Sequence, residues 1–319
     1  MKALQLRAVG EAPVLTDVPV PDPGPGEVQI SIAACGLNFA DLLMIQGRYQ
    51  EKPQLPAILG MEVAGVISQV GDGIAGLAPG MRVAAMPGSG GLAEACLAPA
   101  ERCVRLPDAM SFTDAAAFQI AYGTSHVALD HRAGLKPGET VVVLGAAGGV
   151  GLTAVEIAHR MGARVIAVAR GADKLAVARA AGADATIDSE AGTLDTALKE
   201  MGGVDVVYDA IGDPLGSAAL KACRPGGRYL VIGFAAGEVP SFKANYLLVK
   251  NLTVHGLYWG GYLRLAPEVL TGSLERLFAW YADGGLRPHV SHVLPLEKAM
   301  EGLDLLRSRA STGKVVITP

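Results

Sequence analysis

The stretch that most restricts what this chain can fold into is Thr140–Gly151, TVVVLGAAGGVG. Thr140 to Leu144 are apolar or β-branched without alternation, the pattern of a strand buried on both faces. Gly145, Ala146, Ala147, Gly148, Gly149 and Gly151 then fill a turn with residues that have little or no side chain, around the single Val150. Leu152–Met161 reads as a helix, with Leu152, Val155, Ile157 and Ala158 near one face. A strand, a small-residue turn and a helix suit a pyrophosphate. The backbone can approach the phosphates, and the N–H groups and dipole of the new helix face their charge. Against the dinucleotide fingerprint the run reads A-x-G-x-x-G, with Ala146, Gly148 and Gly151 in the motif positions and Gly149 and Val150 inside the same turn.

The surrounding sequence repeats the unit. Val165–Ala169, Val204–Ala210 and Arg228–Gly233 have strand character, and helical patterns at Asp173–Ala181 and Leu215–Cys223 separate them. This order predicts an α/β fold with a Rossmann doubly wound parallel sheet. A carboxylate at the end of the second strand would bind a ribose 2′-hydroxyl and repel a 2′-phosphate. Here the segment is Val168-Ala169-Arg170-Gly171-Ala172-Asp173-Lys174. Arg170 stands at the strand end and Lys174 follows, so the charge favours NADPH over NADH. Asp173 is expected to cap the following helix.

The 319 residues are enough for two domains with separate cores. A net charge of −4 gives no electrostatic reason to expect a nucleic-acid partner. No long apolar run lacks glycine and charge, so no membrane span is expected. The start, MKALQLRAVGEAP, lacks the apolar core of a signal peptide. Cys35, Cys96, Cys103 and Cys223 form no paired framework, which suits reduced thiols and a cytoplasmic location.

The first part of the chain reads as a β-rich domain of short strands and Gly/Pro turns. Lys2–Leu6 and Val14–Val18 pair as strands, the prolines of Pro19–Ile30 make a rigid turn, and Val28–Ala34 is a strand. Ala34–Leu42 starts a short helix, Gly60–Val70 returns to strand, and Ser111 is a candidate N-cap with Asp114 three residues on. Ile120–Leu129 is helical. Beyond the βαβ series, strand Leu252–Leu257, helices Pro267–Asp283 and Pro295–Arg307, and strand Lys314–Ile317 complete the chain. The expected domains are 1–120, β-rich (GroES-like by the family resemblance described next), 121–257, dinucleotide-binding, and 258–319, a return segment that completes the first. The cofactor is expected in the cleft between the two lobes.

With these segments in view, the chain resembles the medium-chain dehydrogenase/reductase superfamily, and within it the zinc-free quinone oxidoreductase, or zeta-crystallin-like, group. CGLNFADLL (Cys35–Leu43), LGMEVAGVI (Leu59–Ile67), YGTSHVAL (Tyr122–Leu129), GETVVVLGAAGGVG (Gly138–Gly151), VIGFAAG (Val231–Gly237) and RASTGKVVI (Arg309–Ile317) carry the resemblance. Val142, Glu156 and His159 depart from the group's signature on the buried strand and its helix. In the zinc-dependent branch a Cys and a His ligand stand where this chain has Asn38 and Met61, and neutral Asn with a Met thioether is a poor zinc set.

The resemblance implies hydride transfer from a reduced nicotinamide to an acceptor that is already electron-poor, a quinone or a conjugated carbonyl. Alternatives are an alkenal or enoyl reductase, and an NADPH-binding structural or sensory protein without turnover. It implies that Asn38 donates to the acceptor's oxygen or to the nicotinamide ribose, and that Tyr49 orients or protonates the acceptor; an ordinary exposed loop tyrosine is the competing reading. Thr124 is implied near the nicotinamide, Gly233-Phe234-Ala235 along its ribose, and Tyr258 and Trp259 closing over the cofactor. For Phe234, Tyr258 and Trp259 plain core packing competes. Lys174, Ser189 (where the group has Tyr) and Arg309 are implied at the 2′-phosphate. A homodimer through the edge segment Asn251–Leu257 is also implied.

Overall fold

The computed structural model describes residues 1–319 and divides into two units, Met1–Ile120 with Pro288–Pro319, and Ala121–Arg287. In the first, β1 (Lys2–Leu6) and β2 (Val14–Asp17) pair antiparallel. Prolines 19, 21, 23 and 25 then keep the chain out of helix and ladder until β3 (Glu27–Gly36). Next come α1 (Phe39–Ile45), β4 (Ala57–Ile58), β5 (Glu62–Val70), β6 (Arg82–Ala85), β7 (Ala95–Pro99), β8 (Cys103–Arg105) and α2 (Phe112–Ala116). Ser111 caps α2, its Oγ accepting the Asp114 N–H at 3.0 Å.

The second unit is entered through α3 (Gln119–His126), which widens into a π-helical turn over Val127–Arg132. It continues with β9 (Thr140–Leu144), α4 (Gly149–Arg160), β10 (Arg164–Ala169), α5 (Ala172–Ala180), β11 (Ala185–Asp188), α6 (Leu194–Glu200) and β12 (Val204–Asp209). Then follow α7 (Leu215–Lys221), β13 (Cys223–Val231), α8 (Ala244–Lys250), β14 (Thr253–Gly256), α9 (Tyr262–Leu265) and α10 (Pro267–Ala282). The strands form one six-stranded parallel sheet in the order β11-β10-β9-β12-β13-β14. Taken as strands one to six this is 3-2-1-4-5-6, the doubly wound order with its switch point beside β9. Every residue of β9 is buried, which is why the strand is apolar without alternation.

The chain returns to the first unit with β15 (Val290–Pro295), α11 (Ala299–Arg307) and β16 (Lys314–Thr318). The two strands extend a seven-stranded sheet, β15-β16-β3-β5-β6-β8, with β7 paired to Glu27–Ser31 of β3 on the edge opposite β5, which it shares with β16. Leu303, Val315 and Ile317 join Ile30, Leu37, Leu59 and Ile67 in its core.

Three expectations shift. Asp173 does not cap α5: Gly171 is the N-cap and Asp173 lies inside the first turn. Helix α1 starts at Phe39 because β3 runs on to Gly36, held by β5 and β16. The return begins at residue 288, not 258. Helix α10 stays with the second unit because its apolar stripe, Leu270, Leu274, Leu277 and Phe278, is buried there. Ser273 also hydrogen-bonds buried His126 Nδ1 at 2.9 Å, and Trp280 stands edge-on to the same imidazole. No helix is long and apolar enough to cross a membrane.

Candidate functional site

In a doubly wound sheet the ligand side is the carboxyl end of the strands, and the second unit gathers its candidate residues there. Gly145 leaves β9 with φ +74°, a conformation that favours glycine, under the Ile211 side chain. The Gly145 and Ala146 N–H groups both donate to Val168 O at 3.0 Å, tying the turn to β10. Gly148 is the extended N-cap of α4, and Gly149 and Val150 open its first turn. Two of the glycines have different causes. A Cβ on Gly151 would lie 2.1 Å from Gly145 O, so the helix could not pack against its own turn. A Cβ on exposed Gly148 would meet nothing closer than Gly145 O at 3.4 Å. Protein packing therefore requires Gly151, whereas the bare Cα at Gly148 leaves the face of the helix terminus open.

Behind that terminus lies a buried hydroxyl cluster. Ser125 Oγ and Thr153 Oγ1 both donate to Val150 O, at 2.9 and 3.0 Å, and Ser125 Oγ contacts Tyr208 OH at 2.9 Å. These bonds lock the first turn of α4 from inside, leaving its outward N–H groups for an anion.

At the carboxyl end of β10, Arg170 follows the strand and Lys174 lies in the first turn of α5. Two carboxylates that sequence reading missed enter here from β11, whose Asp188 is in register with Ala169. Asp188 Oδ2 accepts the Gly171 N–H at 3.2 Å, and Oδ1 accepts the Glu190 N–H at 3.0 Å. Ser189 N–H donates to Ala169 O at 3.0 Å. The turn brings Glu190 Oε1 to 4.0 Å from Arg170 Nε, with both side chains exposed. The signal was the acidic pair in Ile187-Asp188-Ser189-Glu190, visible only once β11 is known to flank β10.

The segment after β13 runs along the end of β12. Gly233 and Ala235 donate their N–H groups to Asp209 O and Ala210 O, both at 3.2 Å. Asp209 is buried, accepts the Ile211 and Gly212 N–H groups and the Tyr229 hydroxyl, and burial raises its pKa. Phe234 is partly exposed beside this hydrogen-bonded loop. Trp259 is buried against Gly123, where an added Cβ would come within 2.7 Å of the indole, next to buried Thr124. Tyr258 keeps an exposed edge.

Asn38, Tyr49 and Arg309 belong to the first unit. Asn38 is half-buried beside an ion pair that is itself buried. Lys314 Nζ donates to Glu62 Oε1 at 2.6 Å, to Asn38 Oδ1 at 2.8 Å and to Leu37 O at 2.8 Å. Asn38 Nδ2 donates to Glu62 Oε1 at 2.9 Å and to Gly36 O at 3.3 Å. Glu62 Oε2 accepts the Ile120 N–H at 3.0 Å. Both amide protons of Asn38 are thus directed at protein oxygens, unlike the donor role the resemblance implied. Asp41 is fully buried, and its carboxylate accepts the Asn38 and Gly60 N–H groups at 2.8 and 3.2 Å. Burial pushes its pKa up to about 6. Tyr49 packs against the first unit's core. Arg309, just past α11, has φ +55°.

A zinc ion does not fit these donors. Asn38 and Met61 stand in the ligand positions, an ammonium already occupies Glu62, and no group of three or more His, Cys, Asp or Glu side chains is placed to hold a metal.

Comparison with known proteins agrees with this architecture. Residues 24–108 match the alcohol dehydrogenase GroES-like domain, and residues 149–278 match the zinc-binding dehydrogenase domain. The chain is 39% identical over 297 residues to a quinone oxidoreductase-like protein 2 homolog of Nematostella vectensis, covering 91% of this chain and 81% of the relative. Among solved structures it is similar to the quinone oxidoreductase of Thermus thermophilus, studied with its NADPH complex, at 36% identity, TM-score 0.88 and full coverage of both chains (100%). It is likewise similar to Escherichia coli quinone oxidoreductase complexed with NADPH, at 30% identity, TM-score 0.91 and 100% of both chains. The chain belongs to the zinc-free quinone oxidoreductase group of the medium-chain dehydrogenase/reductase superfamily.

Proposed function

We propose that this chain is an NADPH-dependent oxidoreductase that reduces a quinone by hydride transfer without a metal. The observation that carries the reading is the terminus of α4, closed toward the protein at Gly151 and open at Gly148. The NADPH complexes of the Thermus and Escherichia relatives support the choice of nucleotide. When bound, NADPH supplies the hydride.

The chain's own residues bind and orient. The first turn of α4, with Gly148, Gly149, Val150 and Gly151, takes the pyrophosphate. Arg170 and Lys174, with Ser189 and Arg309, take the 2′-phosphate. Thr124, Gly233, Phe234, Ala235, Tyr258 and Trp259 bound the nicotinamide end. Asn38 acts as a strut between Lys314 and Glu62, and the Tyr49 phenol orients the acceptor. An acceptor that is already electron-poor needs no Lewis acid, and quinones meet that condition.

The chain is read as a homodimer through the edge strand β14, next to which Leu248 and Val249 of α8 are each 78% exposed. Its four cysteines are unpaired, which suits a reducing compartment such as the cytoplasm.

The test is the loss of NADPH absorbance with a panel of quinones, alkenals and enoyl-CoA esters, alongside metal analysis and sedimentation. Turnover confined to quinones, without bound metal, is expected. Turnover of alkenals or enoyl esters alone replaces the substrate class. NADPH binding without turnover on any acceptor overturns the enzymatic reading, and stoichiometric zinc overturns the metal-free one.

A further inference from the structure

The ribose end of the second unit carries two signs of charge. Arg170 follows β10 and Lys174 lies in α5, while Asp188 ends β11 and Glu190 follows it. Asp188 is committed to backbone: its two oxygens hold the Gly171 and Glu190 N–H groups. It thereby removes the Gly171 N–H as a donor for any anion at the start of α5. It also shapes the turn that points Glu190 at Arg170. Glu190 makes no comparable structural contribution. Its carboxylate lies 4.0 Å from Arg170 Nε, with 69% of the glutamate side chain and 51% of the arginine exposed, and such pairs add little to stability.

We propose that Glu190 is a specificity-determining residue: its carboxylate competes with the 2′-phosphate of NADPH for the Arg170 guanidinium and narrows the preference for NADPH over NADH. This rests on the NADPH reading above. A 2′-phosphate that pairs with Arg170 must displace Glu190 and then stand beside a like charge, and both effects weaken binding. NADH carries a neutral 2′-hydroxyl and meets neither obstacle. The carboxylate missing from the end of β10 is thus partly restored from the neighbouring strand.

The experiment is calorimetric or fluorescence titration of wild type, Glu190→Gln and Glu190→Ala with NADPH and with NADH, at low and high salt. Glu190→Gln is expected to tighten NADPH by about two- to fivefold, the scale of an exposed ion pair, while NADH stays within about twofold. The gain should shrink at high salt. Glu190→Ala should behave alike, and the melting temperature should not move. Equal tightening of both nucleotides, no change for NADPH, or a selective loss of NADH affinity overturns the proposal. The wild-type titration separately tests the reading it rests on. NADPH binding no tighter than NADH counts against that reading, while a selective gain of NADPH affinity in Glu190→Gln still upholds the competition.

Discussion

Lys314 Nζ lies 2.6 Å from Glu62 Oε1, with 6% of the lysine side chain and none of the glutamate exposed to solvent. The pair joins β16, from the chain's return, to β5, and Asn38 and Leu37 complete the lysine's hydrogen bonding. The network thus fastens the C-terminal strand to the rest of the first unit.

Breaking one side of such a pair leaves a buried charge without a partner. Lys314→Met is expected to cost about 3–5 kcal/mol of stability, and Lys314→Met with Glu62→Gln to recover most of the loss. Urea unfolding of the single and double variants checks this. A double variant no more stable than the single would show that the charge pairing is not what Glu62 and Lys314 contribute.

Asp41 gives a dependence on pH. Its pKa in the folded chain is about 6, against an ordinary 3.8, because burial opposes the charge more than the Asn38 and Gly60 N–H groups favour it. The folded state therefore binds more protons than the unfolded one between these values. The contribution is fully present below 3.8 and is lost as pH rises through 6. Its size is about 3 kcal/mol. Unfolding of wild type and Asp41→Asn from pH 4 to pH 7 measures it: the wild-type decline should be shallower in the variant, and parallel curves would remove Asp41 as the cause.

The two glycines of the turn should separate folding from nucleotide binding. Gly151→Ala forces a Cβ to 2.1 Å from Gly145 O, so melting temperature and NADPH affinity should both fall. Gly148→Ala meets only ordinary contact with the protein, so the melting temperature should hold while NADPH affinity drops at least about tenfold. Calorimetry with thermal melting distinguishes them. An unchanged NADPH affinity in Gly148→Ala would place the pyrophosphate elsewhere.

Arg309 holds φ +55° just after α11, a position where helices commonly end on glycine. Arg309→Gly relieves about 1 kcal/mol of backbone strain, partly offset by the lost side-chain contacts. Stability should thus stay within about 1 kcal/mol of wild type. If the guanidinium serves the 2′-phosphate, NADPH affinity should fall about tenfold or more and NADH affinity little. Equal effects on both nucleotides would assign Arg309 to structure alone.

Legibility followed the range of the interactions. The β9–α4 turn was plain because strand, small residues and helix are contiguous, and each signal is local. The Ser111 cap was plain for the same reason. Lys314 and Glu62 stood inside segments that carried the family resemblance, yet their pairing spans most of the chain and nothing local announces it. The resemblance implies Asn38 as a donor to the acceptor's oxygen or to the nicotinamide ribose, because nothing local shows its neighbours in space; with Glu62 and Gly36 beside it, its amide group has protein acceptors. The return segment begins later than its local pattern suggests because an apolar stripe such as that of α10 does not name its partner, and burial in the second unit with the Ser273 and Trp280 contacts to His126 shows which unit holds it.

The doubly wound unit, the β-rich unit and the presence of Asn38 and Met61, both poor zinc donors, are legible in the residues alone. These follow from hydrophobic period, turn chemistry and side-chain identity, all properties of short segments. Three-dimensional packing was needed to bring Asp188 and Glu190 beside the carboxyl end of β10 and Arg170, to seat an ammonium on Glu62 and to hold α10 in the second unit. Each depends on which distant segments become neighbours, and that is set by sheet order and packing, which no single segment encodes.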